Sequence, residues 1–328
     1  MPNENLNYAE RWSPELIEII RQGTMISPFM TTNVRFLDAK TFHFTTMQTS
    51  GYGKHSRNGG WNRGEFTQTD VPFTLNHDRD VEFLVDKADV DETNATASIK
   101  NISEVFTTNQ AVPEANALFF SRCATKAVSL AGYHSESSLS DWTEDNVFSK
   151  LKKMIGAGKL RRYKAKGALI GYVCSEIMDL LEGSTQLQRK IEMTQIAEGG
   201  MGIETRITSI DGVPIMEVID DEVFYDKFDF EPENLGFEPA ADAKKINVLI
   251  ASPLTTKFVP KIASIYSFAP GSHTEGDGWL YQNRSLSDVF TFPNGKDGNI
   301  DSLYVDLCSD GAEAAMLDDG EEGEDEDA

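Results

Sequence analysis

The clearest periodic pattern of apolar and polar residues in the chain lies between Val71 and Gly132. From Phe73 to Asp86 apolar and polar residues mostly alternate, and this period of two predicts a half-buried β-strand. Apolar residues then recur at helical spacing in two stripes, and the second stripe, after Pro113, runs for roughly 30 Å. The pattern therefore predicts a strand that leads into a long helical spine. The stripes consist of Ile99, Ile102, Val105 and Phe106, then Ala117, Phe120, Cys123 or Ala124, Ala127, Val128 and Ala131.

A short amphipathic helix is predicted near the N-terminus. Ser13 fits the N-cap position, Pro14 fits the first helical position, and Gly23 is a natural stop. A helix of about ten residues is marginally stable alone, so it needs a surface on its own domain or on a neighbour. We interpret this segment as an arm. Its apolar face consists of Leu16, Ile19 and Ile20.

Residues 41–75 contain two strand patterns joined by a long glycine-rich loop. The loop, residues 51–64, has five glycines and is too long for a tight hairpin turn. One interpretation is a flexible surface loop. The other is an extended hairpin whose aromatic and arginine side chains are covered by another subunit, because such residues dominate protein interfaces. The second interpretation predicts intersubunit contacts at Tyr52, Arg57, Trp61 and Arg63.

The second half of the chain reads as a mixed α and β region. A serine-rich turn at 133–142 marks the most natural internal boundary, and the Asp211–Gly212 pair predicts a tight hairpin. Apolar runs at 168–173 and 246–251 predict buried strands, and further strand-like runs follow up to residue 307. The last residues form an acidic tail.

The net charge of the chain is −23, from 53 acidic and 30 basic residues. Eight of the acids lie in the last eleven residues, so the remainder still carries about −15. Because binding to phosphate groups requires a basic face, this charge argues against a DNA-binding module but not against a container. No window is apolar enough for a membrane span, and no export signal is present. Three widely spaced cysteines indicate reduced thiols of a cytoplasmic protein.

A carboxylate-rich stretch from Asp78 to Glu92 is the main candidate for chemistry. A calcium-binding EF-hand loop fails, since Asn94 stands where glycine is required and Lys100 where glutamate is required. A glycosidase carboxylate pair is possible, but nothing selects the two residues. Helix capping by Asp89 and Glu92 explains the acids more simply. The preceding Asp78-Arg79-Asp80 run is interpreted as ion pairing on a strand.

No constellation of residues predicts catalysis, a cofactor or a metal ion. The five histidines are scattered, none at metal-ligand spacing, and no serine or cysteine lies in a nucleophile motif. The glycines before Lys159 do not match a phosphate-binding loop, because the preceding segment is helical and the following Ser or Thr is missing. We therefore predict no catalytic, cofactor-binding or metal-binding residue.

The order and the sequences of these segments resemble those of the major capsid proteins of tailed bacteriophages, which have the Hong Kong 97 capsid fold. The resemblance covers nearly the whole chain and is closest to proteins from phages of Gram-positive bacteria. The acidic tail after residue 309 is not part of the pattern. The matching segments are RNGGWNRG at 57–64, FTLNHDRDVEFLVDKADVDET at 73–93, VPE at 112–114, SIDGVPIMEVID at 209–220 and the run 245–307.

This resemblance implies an α+β fold with a defined division of the chain. The expected parts are an N-terminal arm (1–40), an extended β-hairpin loop (41–75), a peripheral domain with the spine helix (76–133), an axial domain (134–250), closing strands of the peripheral domain (251–308) and a disordered acidic tail (309–328).

The resemblance also implies a structural function. The chain would be the coat subunit that self-assembles into pentamers and hexamers of an icosahedral shell around double-stranded DNA, without sequence-specific DNA contacts. Expected partners are a separate scaffolding protein, the portal and head-completion proteins, with assembly in the host bacterial cytoplasm and no membrane. Two alternatives stay open, an encapsulin-like nanocompartment shell and a soluble α+β carbohydrate-active enzyme.

Overall fold

The computed structural model describes residues 23–31, 40–55, 59, 61–86, 99–184, 207–233, 235–268, 278–294 and 299–309. These residues form two compact units. The first holds the described residues up to Phe119 and those between Pro253 and Ser302, and the second holds those from Phe120 to Ser252 and from Leu303 onward. The predicted arm helix, the Asp89–Glu92 cap and the tail after Ser309 lie outside the described residues.

Both units are built on β-sheets. Within the described ranges they are β1 (Thr41–Thr49), β2 (Phe66–Thr74), β3 (His77–Asp86), β4 (His134–Ser137), β5 (Ile170–Cys174), β6 (Ile207–Ile210), β7 (Val213–Val218), β8 (Phe228–Asp229), β9 (Glu238–Pro239), β10 (Ile246–Ala251), β11 (Thr256–Phe268), β12 (Gly278–Thr291) and β13 (Leu303–Cys308).

The helices are fewer, and one long run dominates them. It consists of α1 (Ile99–Phe106), a π-helical turn (Thr107–Ala111) and α2 (Val112–Val128). No helix of the described part of the chain is long and apolar enough to cross a membrane. The others are α3 (Val147–Ile155), α4 (Arg161–Lys164) and α5 (Ser175–Gly183).

The first unit is built on a three-stranded antiparallel sheet in the order β11-β12-β3, beside the two-stranded β1-β2 sheet. The pattern at Phe73–Asp86 predicted one strand, and this was wrong in one respect. The chain leaves β2 at Leu75, which is fully buried, and the Asn76 N–H donates to the Asp288 carboxylate. The break moves the chain from one sheet to the other.

The predicted helical spine is confirmed, but its course at Pro113, the exposure of Val105 and its last residue differ from the prediction. Pro113 has no N–H to donate and lies in the first turn of α2, and the π turn joins α1 to α2, so the helical run does not start anew at this residue. Val105, which was placed on the apolar stripe of the predicted helix, is exposed in this chain. The helix ends at Val128 instead of continuing to Ala131.

The middle of α2 is buried on every side. A helix that is apolar all round belongs in a core, and Leu118, Phe119 and Phe120 have no exposed surface. Phe119 packs on Phe29 of the first unit, with ring centroids 4.7 Å apart, and Phe120 packs on Tyr172 of the second unit's sheet at 5.2 Å. The boundary between the units therefore falls within this helix.

The second unit has a mixed six-stranded sheet in the order β4-β13-β10-β5-β7-β6. The hairpin predicted at Asp211–Gly212 is confirmed: Ile210 pairs with Val213, and both turn residues have positive φ, as the favoured two-residue turn requires. The buried strand predicted at 246–251 is also confirmed, since β10 is covered along its whole length.

The last strand corrects the predicted grouping of residues 251–308. β13 does not join β11 and β12; it pairs antiparallel with β10 and parallel with β4 in the second unit's sheet. All six of its residues are buried, and successive side chains point to opposite faces of a sheet, so both faces of β13 are covered. The three cysteines, all within the described residues, are buried and form no disulfide, and burial raises the pKa of Cys174 to about 12.

A buried polar network holds β13 in place. Asp306 has no exposed surface and accepts hydrogen bonds from the hydroxyls of Ser135 and Ser137 and, at 3.0 Å, from the Asn247 side-chain amide. Trp142 donates its indole N–H to Ser137 Oγ at 3.0 Å. A buried carboxylate is tolerated only when donors surround it, so this network fixes the register of three strands.

We predict that Asp306→Ala lowers the free energy of unfolding by about 3 kcal/mol, because it leaves the buried Asn247 amide and the half-buried hydroxyls of Ser135 and Ser137 without their acceptor. Chemical denaturation of the full chain measures the change. The control is Asp145→Ala, at an exposed loop position, which should stay within about 0.5 kcal/mol of the wild type. Equal effects of the two substitutions would contradict a structural function of the network.

Candidate assembly surface

Much of the β1-β2 hairpin is not covered by the core of the first unit. Nine residues of each strand pair antiparallel, from Thr41 opposite Thr74 to Thr49 opposite Phe66. The Ser50 N–H continues the ladder by donating to the Glu65 carbonyl oxygen at 2.8 Å. A two-stranded ribbon is marginally stable in water, so its two ends have to be stabilised in some other way.

An aromatic cluster stabilises the base of the hairpin. Phe42 and Phe73 lie opposite each other on the two strands, with ring centroids 5.5 Å apart. Phe290, at the end of β12, meets both of them edge-on, 5.0 Å from Phe42 and 5.3 Å from Phe73. Phe292 stacks on Phe44 at 4.5 Å. Since Phe42 is almost fully buried, this end of the ribbon belongs to the core of the unit.

An ionic cluster lies beside the same base. Asp78 accepts hydrogen bonds from the Arg284 guanidinium at 2.9 and 3.1 Å and from Lys40 Nζ at 3.0 Å. Lys40 immediately precedes β1, so the cluster connects the hairpin to β3 and β12. The Arg284 guanidinium first, and then Lys40, holds the pKa of the Asp78 carboxyl at about 2. The predicted ion pairing of the Asp78-Arg79-Asp80 run is confirmed, with Arg79 bonded to Glu114 at 3.0 Å.

The distal half of the hairpin is exposed on both faces. Met47 and Phe66 lie on the same face, and 63% and 71% of their surfaces are exposed. Large apolar side chains grouped in this way on a projecting ribbon mark an interaction surface. The nearby His43 ring and Thr45 hydroxyl both bond to Asp70, at 2.6 and 3.1 Å, so polar cross-strand bonds hold the ribbon where it has no core.

The described tip residues carry three of the six predicted contact positions. Tyr52 is fully exposed, Trp61 is 93% exposed, and Arg63 is exposed. Leu16, Ile19 and Arg57, the other three, lie outside the described residues.

The tip is closed by specific polar contacts. The Asn62 side-chain amide donates to the Lys54 carbonyl oxygen at 3.0 Å, and the Glu65 N–H donates to Ser50 Oγ at 2.9 Å. The Asn62 side chain passes so close to Gly53 that a Cβ at that position would lie 2.7 Å from its nitrogen. A larger residue at this position would therefore have to displace the Asn62 side chain, which makes the hydrogen bond to Lys54.

Two exposed residues were missed by the reasoning from sequence. Met47 and Phe66 share a face only because the pairing places Thr49 opposite Phe66. The loop between the strands is long, and loop length alone does not set the register. Phe290 and Phe292, which anchor the base, are more than 200 residues away in the chain, and no local pattern connects them to it.

The described residues contain no group of three or more metal-ligating side chains close enough to hold a metal ion. The exposed surface of the hairpin instead combines aromatic rings, a methionine and cations. This combination is typical of the residues that dominate protein–protein contacts.

Comparison with known proteins identifies the fold of the chain. No protein-family model matches the chain, and no curated protein matches it in sequence. Solved structures do match. The mature capsid of bacteriophage PhiM1 has a TM-score of 0.60 and 13% identity, with 88% of this chain and 87% of that chain covered. The capsid of Cyanophage P-SCSP1u has a TM-score of 0.58 and 11% identity, with 87% and 88% covered.

A third match is the acid-stable capsid of Helicobacter pylori bacteriophage KHP30, with a TM-score of 0.55, 11% identity, and 87% and 90% of the two chains covered. At these identities the likeness establishes the fold. The predicted α+β fold of the Hong Kong 97 type is therefore confirmed.

We predict that Phe42→Ala lowers the free energy of unfolding by about 3–5 kcal/mol, because it opens a cavity in the aromatic anchor. Phe66→Ala is the matched control, since the same truncation at an exposed position of the same ribbon should change that free energy by less than about 0.5 kcal/mol. Denaturation of unassembled subunits measures both. A loss at Phe66 as large as that at Phe42 would show that the distal ribbon is covered within one chain.

The Asp78 cluster predicts a pH-dependent contribution to stability. The pKa of the folded carboxyl, about 2, is below its ordinary value of 3.8, so the stabilisation is complete above about pH 4 and is lost as the pH falls through 2. Asp78→Asn should lower the melting temperature at pH 7, and the difference from the wild type should shrink between pH 4 and pH 2. Asp179→Asn, at an exposed helix position, is the control. A difference that does not change with pH would contradict this assignment.

Proposed function

We propose that this chain is the major capsid subunit of a tailed bacteriophage. It assembles into pentamers and hexamers, and these form an icosahedral shell that encloses double-stranded DNA. The observation that carries the proposal is a capsid fold with a hairpin whose distal half exposes Met47, Tyr52, Trp61 and Phe66. A neighbouring subunit would cover these side chains, which explains why an otherwise marginal ribbon keeps them.

The two units correspond to the two domains of this proposal. The first unit, with the spine helix up to Phe119 and the β11-β12-β3 sheet, would be the peripheral domain that carries the extended hairpin. The second unit, with the six-stranded sheet, would be the axial domain that meets its copies around the five-fold and six-fold axes. Of the predicted arm, residues 1–40, the described residues 23–31 pack within the chain's own first unit, where Phe29 contacts Phe119. The rest of the arm would lie on a neighbour, with Leu16 and Ile19 in contact.

The charge of the chain supports a container. A shell that is filled with DNA after it assembles should not adsorb the DNA, and the net charge of −23 would repel phosphate groups. The proposal includes a separate scaffolding protein, a portal and head-completion proteins as partners, and assembly in the host bacterial cytoplasm. No catalytic step is part of it.

We predict that Tyr52→Ser with Trp61→Ser leaves the subunit folded and weakens assembly about tenfold or more, because exposed aromatic residues supply most of the energy of an interface. Electron microscopy and sedimentation of the purified chain at increasing concentration give the assembly threshold. Removal of residues 51–64 should abolish closed shells altogether.

The matched control is Tyr266→Ser, which removes a half-exposed tyrosine from β11, outside the hairpin. Normal shells from the tip variants would show that the hairpin is not an interface. A wild-type chain that stays a monomer or dimer under all conditions would contradict the capsid function itself. Shells that contain cargo protein and no DNA would favour a nanocompartment.

A further inference from the structure

The second unit carries a strongly basic segment that the proposed function leaves unexplained. Residues 150–166 contain eight lysines and arginines and no acid, in a chain whose net charge is −23. They cover α3, α4 and the turn between them. Lys153, Arg161, Arg162 and Lys166 are all exposed. We refer to these four residues as the basic patch.

The geometry brings the two helices of this segment together. Lys152 on α3 and Lys164 on α4 both reach the same oxygen of Asp211, at 3.6 and 2.7 Å. Asp211 is the only carboxylate within ion-pairing distance of the segment among the described residues. One carboxylate cannot fully neutralise both Lys152 and Lys164. The four cations of the basic patch have no acidic partner among the described residues.

The same unit carries a complementary surface. Residues 220–242 contain nine carboxylates and one lysine. Here β8 and β9 pair as a small ribbon, and a cluster of rings lies on it, none of them fully covered. Leu235, between the strands, is 88% exposed. We refer to this segment as the acidic lobe. Its rings are Tyr225, Phe228, Phe230 and Phe237, with neighbouring centroids about 6 Å apart.

Ion pairs and a backbone hydrogen bond attach the acidic lobe to the six-stranded sheet and so define its position. Lys245, at its end, bonds to Asp221 at 3.0 Å and to Glu176 at 2.9 Å. Burial alone would lower the pKa of Lys245, but these two bonds outweigh it and raise the pKa, which keeps the lysine charged. The backbone of Phe224 accepts from the Ile246 N–H at 2.9 Å.

The basic patch and the acidic lobe lie at opposite ends of the sheet strands. Asp211, which binds lysines of both α3 and α4, lies just before the amino end of β7. The acidic lobe begins just after the carboxyl end of β7. The lobe then returns into the amino end of β10, which is antiparallel to β5 and therefore lies at that same end. A strand of six residues spans about 20 Å, too far for the two surfaces to neutralise each other in one copy.

We propose that the basic patch of one copy docks on the acidic lobe of the next copy, and that this head-to-tail contact orders the ring of second units around each symmetry axis. Two different, complementary surfaces on one unit form a heterologous interface, and such an interface generates a ring when the rotation between copies closes. This inference rests on the proposed capsid function and assigns its ring contact.

The lobe supplies what such a contact needs. Leu235 and the half-covered rings form an apolar centre, and the exposed Asp229, Glu231, Glu233 and Glu238 form a charged rim. Apolar centres give affinity, and charged rims choose the partner and speed up the encounter. A second copy of this chain is the occupant that the charges favour, because the basic patch occurs on the same unit.

The test reverses the charges on each side and then on both. Arg162→Glu with Lys166→Glu, and separately Glu231→Lys with Glu233→Lys, should each raise the concentration required for assembly about tenfold. The chain that carries all four substitutions has the net charge of the wild type and restores complementary pairs, so it should assemble near the wild-type threshold. Lys126→Glu, at an exposed position of α2, is the control and should assemble normally.

The outcomes separate this inference from the proposed function. A wild-type chain that never assembles overturns both. Wild-type shells together with normal thresholds for both double variants overturn the inference alone, and so does a failure of the fourfold variant to recover. If Arg162→Glu with Lys166→Glu leaves assembly unchanged but abolishes binding of a 30-base-pair DNA duplex, the patch is a nucleic-acid contact and the inference is wrong.

Discussion

A two-stranded ribbon that extends beyond the core of its own unit has to be stabilised at both ends by something other than itself. At the base, the aromatic cluster around Phe42 and the carboxylate of Asp78 do this within one chain. At the distal half the ladder continues, but Met47 and Phe66 remain exposed. The base of the hairpin is therefore firmly anchored, while its distal half presents an exposed apolar surface. In the proposed assembly, a neighbouring subunit would cover this surface.

Each unit also contains a tightly packed element. The spine helix is buried on all sides at Leu118–Phe120, and the π turn joins α1 to α2, so the helical run does not start anew at Pro113. In the second unit the Asp306 network fixes the register of neighbouring strands through directional hydrogen bonds. Charge is then distributed unevenly on this frame, with a basic segment at 150–166 in an otherwise acidic chain. Uneven charge of this kind sets the choice and orientation of partners more than their affinity.

Local features of the fold could be predicted from the sequence, and long-range ones could not. The Asp211–Gly212 turn and the buried run at 246–251 are encoded by a few adjacent residues, and both were predicted correctly. The place of β13 depends on its pairing with β10 and β4, which local periodicity does not contain. The apolar face of the hairpin depends on a register that a long loop leaves open. For the candidate surface, residue type identified Tyr52 and Trp61, while Met47 and the basic patch needed the structure.

Hydrogen–deuterium exchange of the chain before and after assembly tests the central claim most directly. In free subunits the amides of 45–49 and 66–70 should exchange much faster than those of β10, because the distal ribbon has no core of its own. In assembled shells the same hairpin amides should become protected, while those of β10 should stay as they were. Hairpin amides that exchange equally fast in both states would contradict the claim that a neighbouring subunit covers the distal ribbon.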